Sequence, residues 1–390
     1  MTPPPTLAVA RVPRRFRRFK EHFMEGHRVA LLRDGEQAFP AMLEAIAQAE
    51  RQVLLEMYWF SSDRIGLRFA AALREAAARG VEVAVLYDSL GSLETDRAMF
   101  DDLKEAGAHV VEFNPLMPWR RRFKLAQLSR RDHRKALVVD GRLGFTGGLN
   151  ISDEWLPVEE GGEGWRDDVV RFEGPAVGGL VACFETSWRA QGGPPLRRVI
   201  AAGPPQSGHQ AVRIIGEAAH WKRREIIKAY VSNIYRAETR IWITNSYFVP
   251  NATVLRSLRR AARRGVDVRV MVPEVSDVPF VELASRALWG RLLRAGVRLF
   301  QCGGTVLHAK SAVIDGKWAT TGTFNLDYRS MFWNLEVNLA VRDDAFAREM
   351  EASFERDLGR SQEVVYETFR RRPARQRWLE HCCLLFQRFL

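Results

Sequence analysis

The strongest constraint on this chain is that it says the same thing twice. His133-Arg-Lys135-Ala-Leu-Val-Val-Asp140-Gly141, followed by Gly147-Gly-Leu-Asn150, returns as His308-Ala-Lys310-Ser-Ala-Val-Ile-Asp315-Gly316, followed by Gly322-Thr-Phe-Asn325. Every polar or glycine landmark is displaced by 175 residues. A constant offset of this kind is the signature of a duplicated structural unit. Upstream, residues 53–60 are echoed by 241–248 at an offset of 188, and Gly80-Val-Glu-Val by Gly265-Val-Asp-Val at 185. The shrinking offset puts extra residues in the first copy, chiefly over 115–131.

Each copy reads strand, helix, strand and then the motif. Apolar runs of strand length alternating with amphipathic helical stretches predict an α/β unit with a largely parallel or mixed sheet. The 390 residues hold two such units with full cores. Residues 191–211, rich in Gly and Pro, read as the linker between them. The expected organisation is a basic amphipathic segment over 1–26, a first unit over 27–190, the linker 191–211, a second unit over 212–362 and a basic, apolar tail over 363–390.

On a strand, His and Lys two residues apart share a face, because side chains alternate with period two. Asp-Gly at the end of each apolar run is a hairpin signal, with 143–146 and 318–321 returning antiparallel. Asp140 and Asp315 belong to the motif, but turn chemistry alone would choose Asp before Gly, so a structural role is the first reading. Asn150 and Asn325 stand where an amide can cap a helix or face an anion beside backbone N–H groups, which makes them candidate phosphate ligands.

Two histidines, two lysines and two asparagines together can cleave a phosphodiester without a metal. One neutral imidazole attacks phosphorus, the other protonates the departing alkoxide, and the cationic and amide groups hold the non-bridging oxygens. A carboxylate is needed to fix each imidazole's tautomer. Candidates follow each motif, Asp167 ahead of Asp168 in Trp-Arg-Asp-Asp-Val-Val and Glu336 in Asn-Leu-Glu-Val-Asn.

The net charge of +12 calls for an anionic partner without choosing among nucleic acid, lipid surface and phosphorylated small molecule. The four cysteines show neither metal-ligand spacing nor a disulfide framework, so no metal and no cofactor are expected. The chain contains no apolar run long enough to span a bilayer and no export signal, and a reducing compartment is expected.

At His133, Lys135, Asp140, Gly147, Asn150 and their second-half counterparts, the chain resembles the phospholipase D superfamily, over roughly residues 27–360. More narrowly, residues 147–152, 172–175, 322–330 and 334–338 resemble bacterial cardiolipin synthases of the phospholipase D type, and residues 31–40 resemble their short branch without transmembrane helices. The resemblance implies two phospholipase-D-like α/β/α sandwich domains packed pseudo-symmetrically around one active site. It further implies phosphatidyl transfer between two phosphatidylglycerol molecules through a phosphatidyl-histidine, releasing glycerol. His133 would be the nucleophile and His308 the acid/base, with Asp167 and Glu336 orienting the rings. Competing readings are a hydrolytic phospholipase D, another phosphatidyltransferase, and a metal-independent nuclease.

The ends favour lipid over nucleic acid. Residues 11–24 place Phe16, Phe19 and Phe23 on one helical face amid Arg and Lys, and residues 378–390 carry a second apolar stripe. The competing expectation for each is a terminal helix packed on the domain core. Trp119, Arg120 to Arg122 and Phe123 would form an interfacial lip. The expected partners are therefore an anionic phospholipid and a membrane surface, with the protein peripheral on the cytoplasmic face of the cell membrane.

Overall fold

In the computed structural model, residue 16 and residues 19–117, 128–197, 208–216 and 224–387 are described. The first half contributes strands β1 (Met24–Arg33), β2 (Gln52–Met57), β3 (Glu82–Asp88), β4 (His109–Phe113), β5 (Ala136–Val139), β6 (Leu143–Gly147) and β7 (Asp168–Glu173). The second contributes β8 (Gln210–Gly216), β9 (Arg240–Asn245), β10 (Asp267–Pro273), β11 (Arg298–Cys302), β12 (Lys310–Ile314), β13 (Trp318–Gly322), β14 (Val337–Arg342) and β15 (Ser361–Glu363). Helices α1 (Asp34–Ala47), α2 (Arg64–Ala78), α3 (Arg97–Glu105) and α4 (Val177–Ala190) belong to the first half. In the second are α5 (Glu225–Arg236), α6 (Ala252–Arg263), α7 (Pro279–Leu293), α8 (Tyr328–Phe332), α9 (Asp344–Leu358), α10 (Tyr366–Arg370) and α11 (Ala374–Leu385).

The duplication is visible element by element. Helix α2 starts where Asp63 accepts from Gly66 N, α6 where Asn251 accepts from Thr253 N and Val254 N, both by side-chain capping. Both bury an apolar stripe, Ile65, Phe69 and Leu73 in one, Val254, Leu258 and Ala261 in the other. Gly80 and Gly265, at φ 86° and 88°, then end the two helices in a left-handed conformation that a side chain resists. Strands β2, β3 and β4 pair in parallel, as do β9, β10 and β11, while β5, β6 and β7 and their counterparts run antiparallel.

The two units meet edge to edge. Antiparallel pairing of β1 with β8 joins them into one fifteen-stranded sheet, ordered β15-β11-β10-β9-β12-β13-β14-β8-β1-β7-β6-β5-β2-β3-β4. Each half keeps its own core, and a third core is shared, with Phe172 and Trp188 from the first half and Trp242, Leu339 and Phe354 from the second. Strand β8 begins at Gln210, just inside the segment read as linker.

The Asp-Gly hairpins form as expected. Asp140 and Gly141 have φ of 53° and 64°, Asp315 and Gly316 of 54° and 64°, the double left-handed geometry of a two-residue hairpin. The Asp140 carboxylate accepts from the backbone N–H groups of Glu50, Arg51 and Gln52. Asp315 accepts from those of Glu238, Thr239 and Arg240. Both aspartates tie the turn to the start of the neighbouring strand, so the hydrogen bonds support the structural reading of these two motif residues.

The described N-terminal aromatic residues follow the competing expectation of packing on the domain core. Phe16 is buried against Tyr235 with ring centroids 6.2 Å apart, and Phe19 and Phe23 pack on the same second-half core beneath Arg213 and Arg342. These rings are engaged by protein. In the tail, α10 and α11 lie on α7, where Phe369 stacks on Trp289 at 5.7 Å and buried Glu380 binds Arg286 and Arg372. Trp378, Leu379, Leu385 and Phe386 remain exposed. The expected lip at residues 119–123 lies outside the described residues.

Candidate active site

Each motif enters the site bound to the opposite half of the molecule. His133 N donates to Leu335 O (3.0 Å) and Leu335 N to Arg131 O (2.8 Å). In the same way His308 N donates to Arg166 O (2.8 Å) and Arg166 N to Val306 O (2.9 Å). These short parallel bridges fix the backbone just before β5 and β12. The residues that follow the bridging positions on the partner half are the orienting carboxylates.

The pairing is therefore crosswise. His133 Nδ1 lies 3.1 and 3.2 Å from the two Glu336 oxygens, and His308 Nδ1 lies 2.8 Å from Asp167 Oδ2. Glu336 also accepts from the Thr323 hydroxyl and from Asn334 Nδ2. Asp167 accepts from Trp155 Nε1 (3.2 Å) and Asp168 N (2.9 Å). A Cβ on Gly148 would lie 2.2 Å from Asp167 Oδ1, so that glycine leaves the carboxylate its place. With Nδ1 committed to a carboxylate, Nε2 is the nitrogen of each ring left for chemistry.

Both rings open on one cavity of about 290 Å³, shared with Asn150, Asn325, Tyr58, Trp155, Trp165 and Tyr247 among others. Tyr58 meets His133 edge-on at 4.9 Å, and Trp155 and Trp165 flank His308 at 5.2 and 5.9 Å. Asn150 Oδ1 accepts from Trp59 N (3.2 Å), and Asn325 Oδ1 from the Ser246 hydroxyl (2.9 Å). Neither amide nitrogen has a protein partner among the described residues, which leaves both Nδ2 groups as donors for an anion.

The lysines lie deeper than expected. Lys135 Nζ donates to His133 O at 2.7 Å and Lys310 Nζ to His308 O, and neither lines the cavity. Burial lowers Lys135 to about 7 and Lys310 to about 8, against the opposing pull of Glu336 and Asp167 respectively. Burial and then the Lys135 charge hold His133 down at about 4 despite Glu336. Burial and Lys310 likewise lower His308, with Asp167 opposing. Burial and the neighbouring lysines thus favour the neutral form of both imidazoles.

A buried ionic frame supports this centre. Arg166, directly before Asp167, binds Asp168 Oδ1 and Asp357 Oδ2, both at 2.8 Å, and Ser353 Oγ. Arg134, between His133 and Lys135, turns to the other face and binds Asp132 and Glu56. Sequence reasoning left out Arg166, Arg134, Tyr58, Trp155, Tyr247 and Arg329. The aromatic pair Trp59 and Tyr247 at the end of the echoed strand was the available signal for part of this wall. Among the described residues no group of three or more His, Cys, Asp or Glu is disposed to hold a metal ion, and no helix is long and apolar enough to cross a membrane.

A duplicated α/β fold whose two His-x-Lys motifs share one cavity, each ring held by a carboxylate from the other copy, defines a two-motif phosphoryl-transfer enzyme of the phospholipase D class. Known proteins narrow this. The chain belongs to the cardiolipin synthase family of PLD-like proteins, for the family model described as "Cardiolipin synthase, PLD-like domain" matches residues 42–158 and 230–358. It is 35% identical over 354 residues to a cardiolipin synthase of Geobacillus thermodenitrificans (strain NG80-2), covering 90% of this chain and 70% of that protein. The major cardiolipin synthase of Bacillus subtilis (strain 168) is 33% identical over 356 residues, covering 90% of this chain and 73% of that protein. Membership makes the chain an enzyme of the phosphatidyltransferase class. The crystal structure of phosphatidylserine synthase from Haemophilus influenzae Rd KW20 shares the fold, with a TM-score of 0.70 at 13% identity over 93% of this chain and 95% of that one.

Proposed function

We propose that the protein makes cardiolipin from two molecules of phosphatidylglycerol, releasing glycerol, through a phosphatidyl group carried on His133. The observation that carries this reading is the facing pair of carboxylate-held imidazoles in one cavity. In the first step the His133 Nε2 lone pair forms a bond to phosphorus, the bond to the departing glycerol oxygen breaks, and His308 Nε2–H gives that oxygen its proton. In the second, a hydroxyl of the acceptor lipid loses its proton to His308, its oxygen bonds to phosphorus, and the P–N bond breaks. The arriving phosphodiester anion offsets the Lys310 charge and lets His308 hold the proton it must donate. Asn150 and Asn325 donate to the non-bridging oxygens, with the lysine charges behind the rings adding to the field.

A lipid substrate is supported by the loops after β3 and β10, equivalent in the two halves. Leu90 and Val278 line the cavity and are exposed, and Leu93 and Val275 in the same two loops are exposed as well. Together with the net charge of +12, this favours peripheral attachment to an anionic membrane face, the cytoplasmic face in our reading, over nucleic-acid binding.

The test is to incubate the protein with phosphatidylglycerol vesicles in chelator and analyse the lipids by mass spectrometry, with His133→Ala as control. Cardiolipin and glycerol, absent in the control, are expected. Phosphatidic acid alone would make water the acceptor and the protein a hydrolase. Absence of lipid turnover would end the lipid reading.

A further inference from the structure

Most of the reacting centre is two-fold: His133 with His308, Lys135 with Lys310, Asn150 with Asn325. A pseudo-symmetric set suits a phosphoryl group lying between two imidazoles. The two lipids of the proposed transfer are not equivalent, however. One gives up its phosphorus, while the other keeps its own phosphodiester and offers a hydroxyl. Something in the cavity must break the symmetry if their places are to differ.

Arg329 does so. It lies in α8, half-buried, and lines the same cavity as both histidines. Its guanidinium has no hydrogen bond and no ion pair among the described residues. Tyr58, which meets His133 edge-on, and Asp327, on opposite halves, both feel its charge. The first half has no arginine at the equivalent position, and the arginine it does bring to the cavity lining, Arg131, is engaged by Asp88 and Asn114 O. The motif offset of 175 residues puts Glu154 at the matching position, and the offset of 169 between Asp167 and Glu336 puts Glu160 there. Asn334 lines the cavity too, with its Nδ2 on Glu336 and its buried Oδ1 unpaired. Neither offset gives an amide there, for the matching residues are Glu159 and Trp165.

We propose that Arg329 and Asn334 form the acceptor half-site, the guanidinium holding the unreacting phosphodiester of the second lipid and Asn334 Oδ1 accepting from a hydroxyl of its head group. An unpaired fork of N–H donors matches a phosphodiester anion, and a buried carbonyl oxygen requires a donor. The cation also offsets the repulsion between the two phosphate groups that must lie side by side before transfer. The acceptor chosen by such a half-site is a phospholipid with a free head-group hydroxyl, in preference to water or a neutral alcohol. This rests on the cardiolipin reading and deepens it.

The experiment compares two products from phosphatidylglycerol vesicles. One is cardiolipin, which needs the second lipid's phosphate. The other is isotope-labelled free glycerol exchanged into phosphatidylglycerol, which uses the same phosphatidyl-enzyme with a neutral acceptor. R329Q is expected to lower the ratio of cardiolipin formed to glycerol exchanged at least tenfold, and R329K to restore part of it. An unchanged ratio overturns the proposal, whether both products fall together, as for a ligand of the reacting phosphoryl group or a folding defect, or neither falls. A wild-type protein that exchanges glycerol but forms no cardiolipin overturns the functional reading itself.

Discussion

His133 Nδ1 and Glu336 Oε1 lie 3.1 Å apart although 203 residues separate them in the chain. The reciprocal pair, His308 and Asp167, is 2.8 Å apart across the same junction. Each half supplies the imidazole for one pair and the carboxylate for the other, so neither half alone holds a correctly oriented histidine. Catalytic competence is a property of the docked pair, and it depends on the halves staying in register.

Substituting Glu336 by Gln keeps the side chain's shape but removes the charge that fixes and stabilises the His133 ring. The turnover rate is expected to fall about 10²–10⁴-fold, the range in which a triad carboxylate acts, with little change in the melting temperature. Initial rates of cardiolipin formation and a thermal melt on the same preparation decide this. A rate within threefold of wild type would mean that Glu336 does not orient the nucleophile.

Activity and stability should move in opposite directions above neutrality. Lys135 at about 7 and Lys310 at about 8 lose the charge that favours phosphoryl oxygens as pH rises through those values, so kcat/KM is expected to fall from pH 7 to 9. Both folded values lie below the ordinary lysine value, so between them and about 10.5 the unfolded chain binds more protons, and stability rises with pH across that window. On the acid side His133, at about 4, stays neutral well below the usual histidine range, so the loss of nucleophile begins only below about pH 5. A pH–rate profile and melting temperatures over pH 5 to 10 test both limbs.

Asp140→Ala removes the acceptor for three backbone N–H groups without touching the cavity. A loss of about 1–3 kcal/mol of stability is expected. Activity per folded molecule should stay within twofold of wild type, measured after correcting for the folded fraction by denaturant titration. A large loss of turnover in fully folded protein would return Asp140 to the catalytic set.

Arg166→Met leaves buried Asp168 without its cation and takes one of three arginines from Asp357, which keeps Arg33 and Arg360. Removing one partner of such a network costs about 3–5 kcal/mol, and the urea midpoint should fall accordingly. Because the Arg166 side chain braces the segment whose carbonyl accepts from His308 N and whose next residue is Asp167, the surviving folded protein should show a lower turnover rate at unchanged affinity for vesicles.

The duplicated unit, the Asp-Gly hairpins and the shared face of His and Lys were legible in the sequence because each is a local consequence of period, turn chemistry or repetition. The identity of Asp167 and Glu336 as orienting groups was legible as well, through the family resemblance. What could not be read was their crosswise assignment. Two copies of one motif look alike in sequence whether their contacts are made within a copy or between copies, and only the docking of β1 against β8 and the bridges at Leu335 and Arg166 make the choice. The same holds for Phe16, Phe19 and Phe23, whose helical spacing fits a bilayer and a protein core equally well until Tyr235 is found beneath them. It holds also for Arg329, whose guanidinium has no hydrogen bond or ion pair among the described residues. The sequence by itself determined the chemistry available, two imidazoles with their cations and carboxylates. The tertiary structure alone decided which carboxylate holds which ring, how deeply the lysines are buried and where the symmetry breaks, because those depend on distances between segments far apart in the chain.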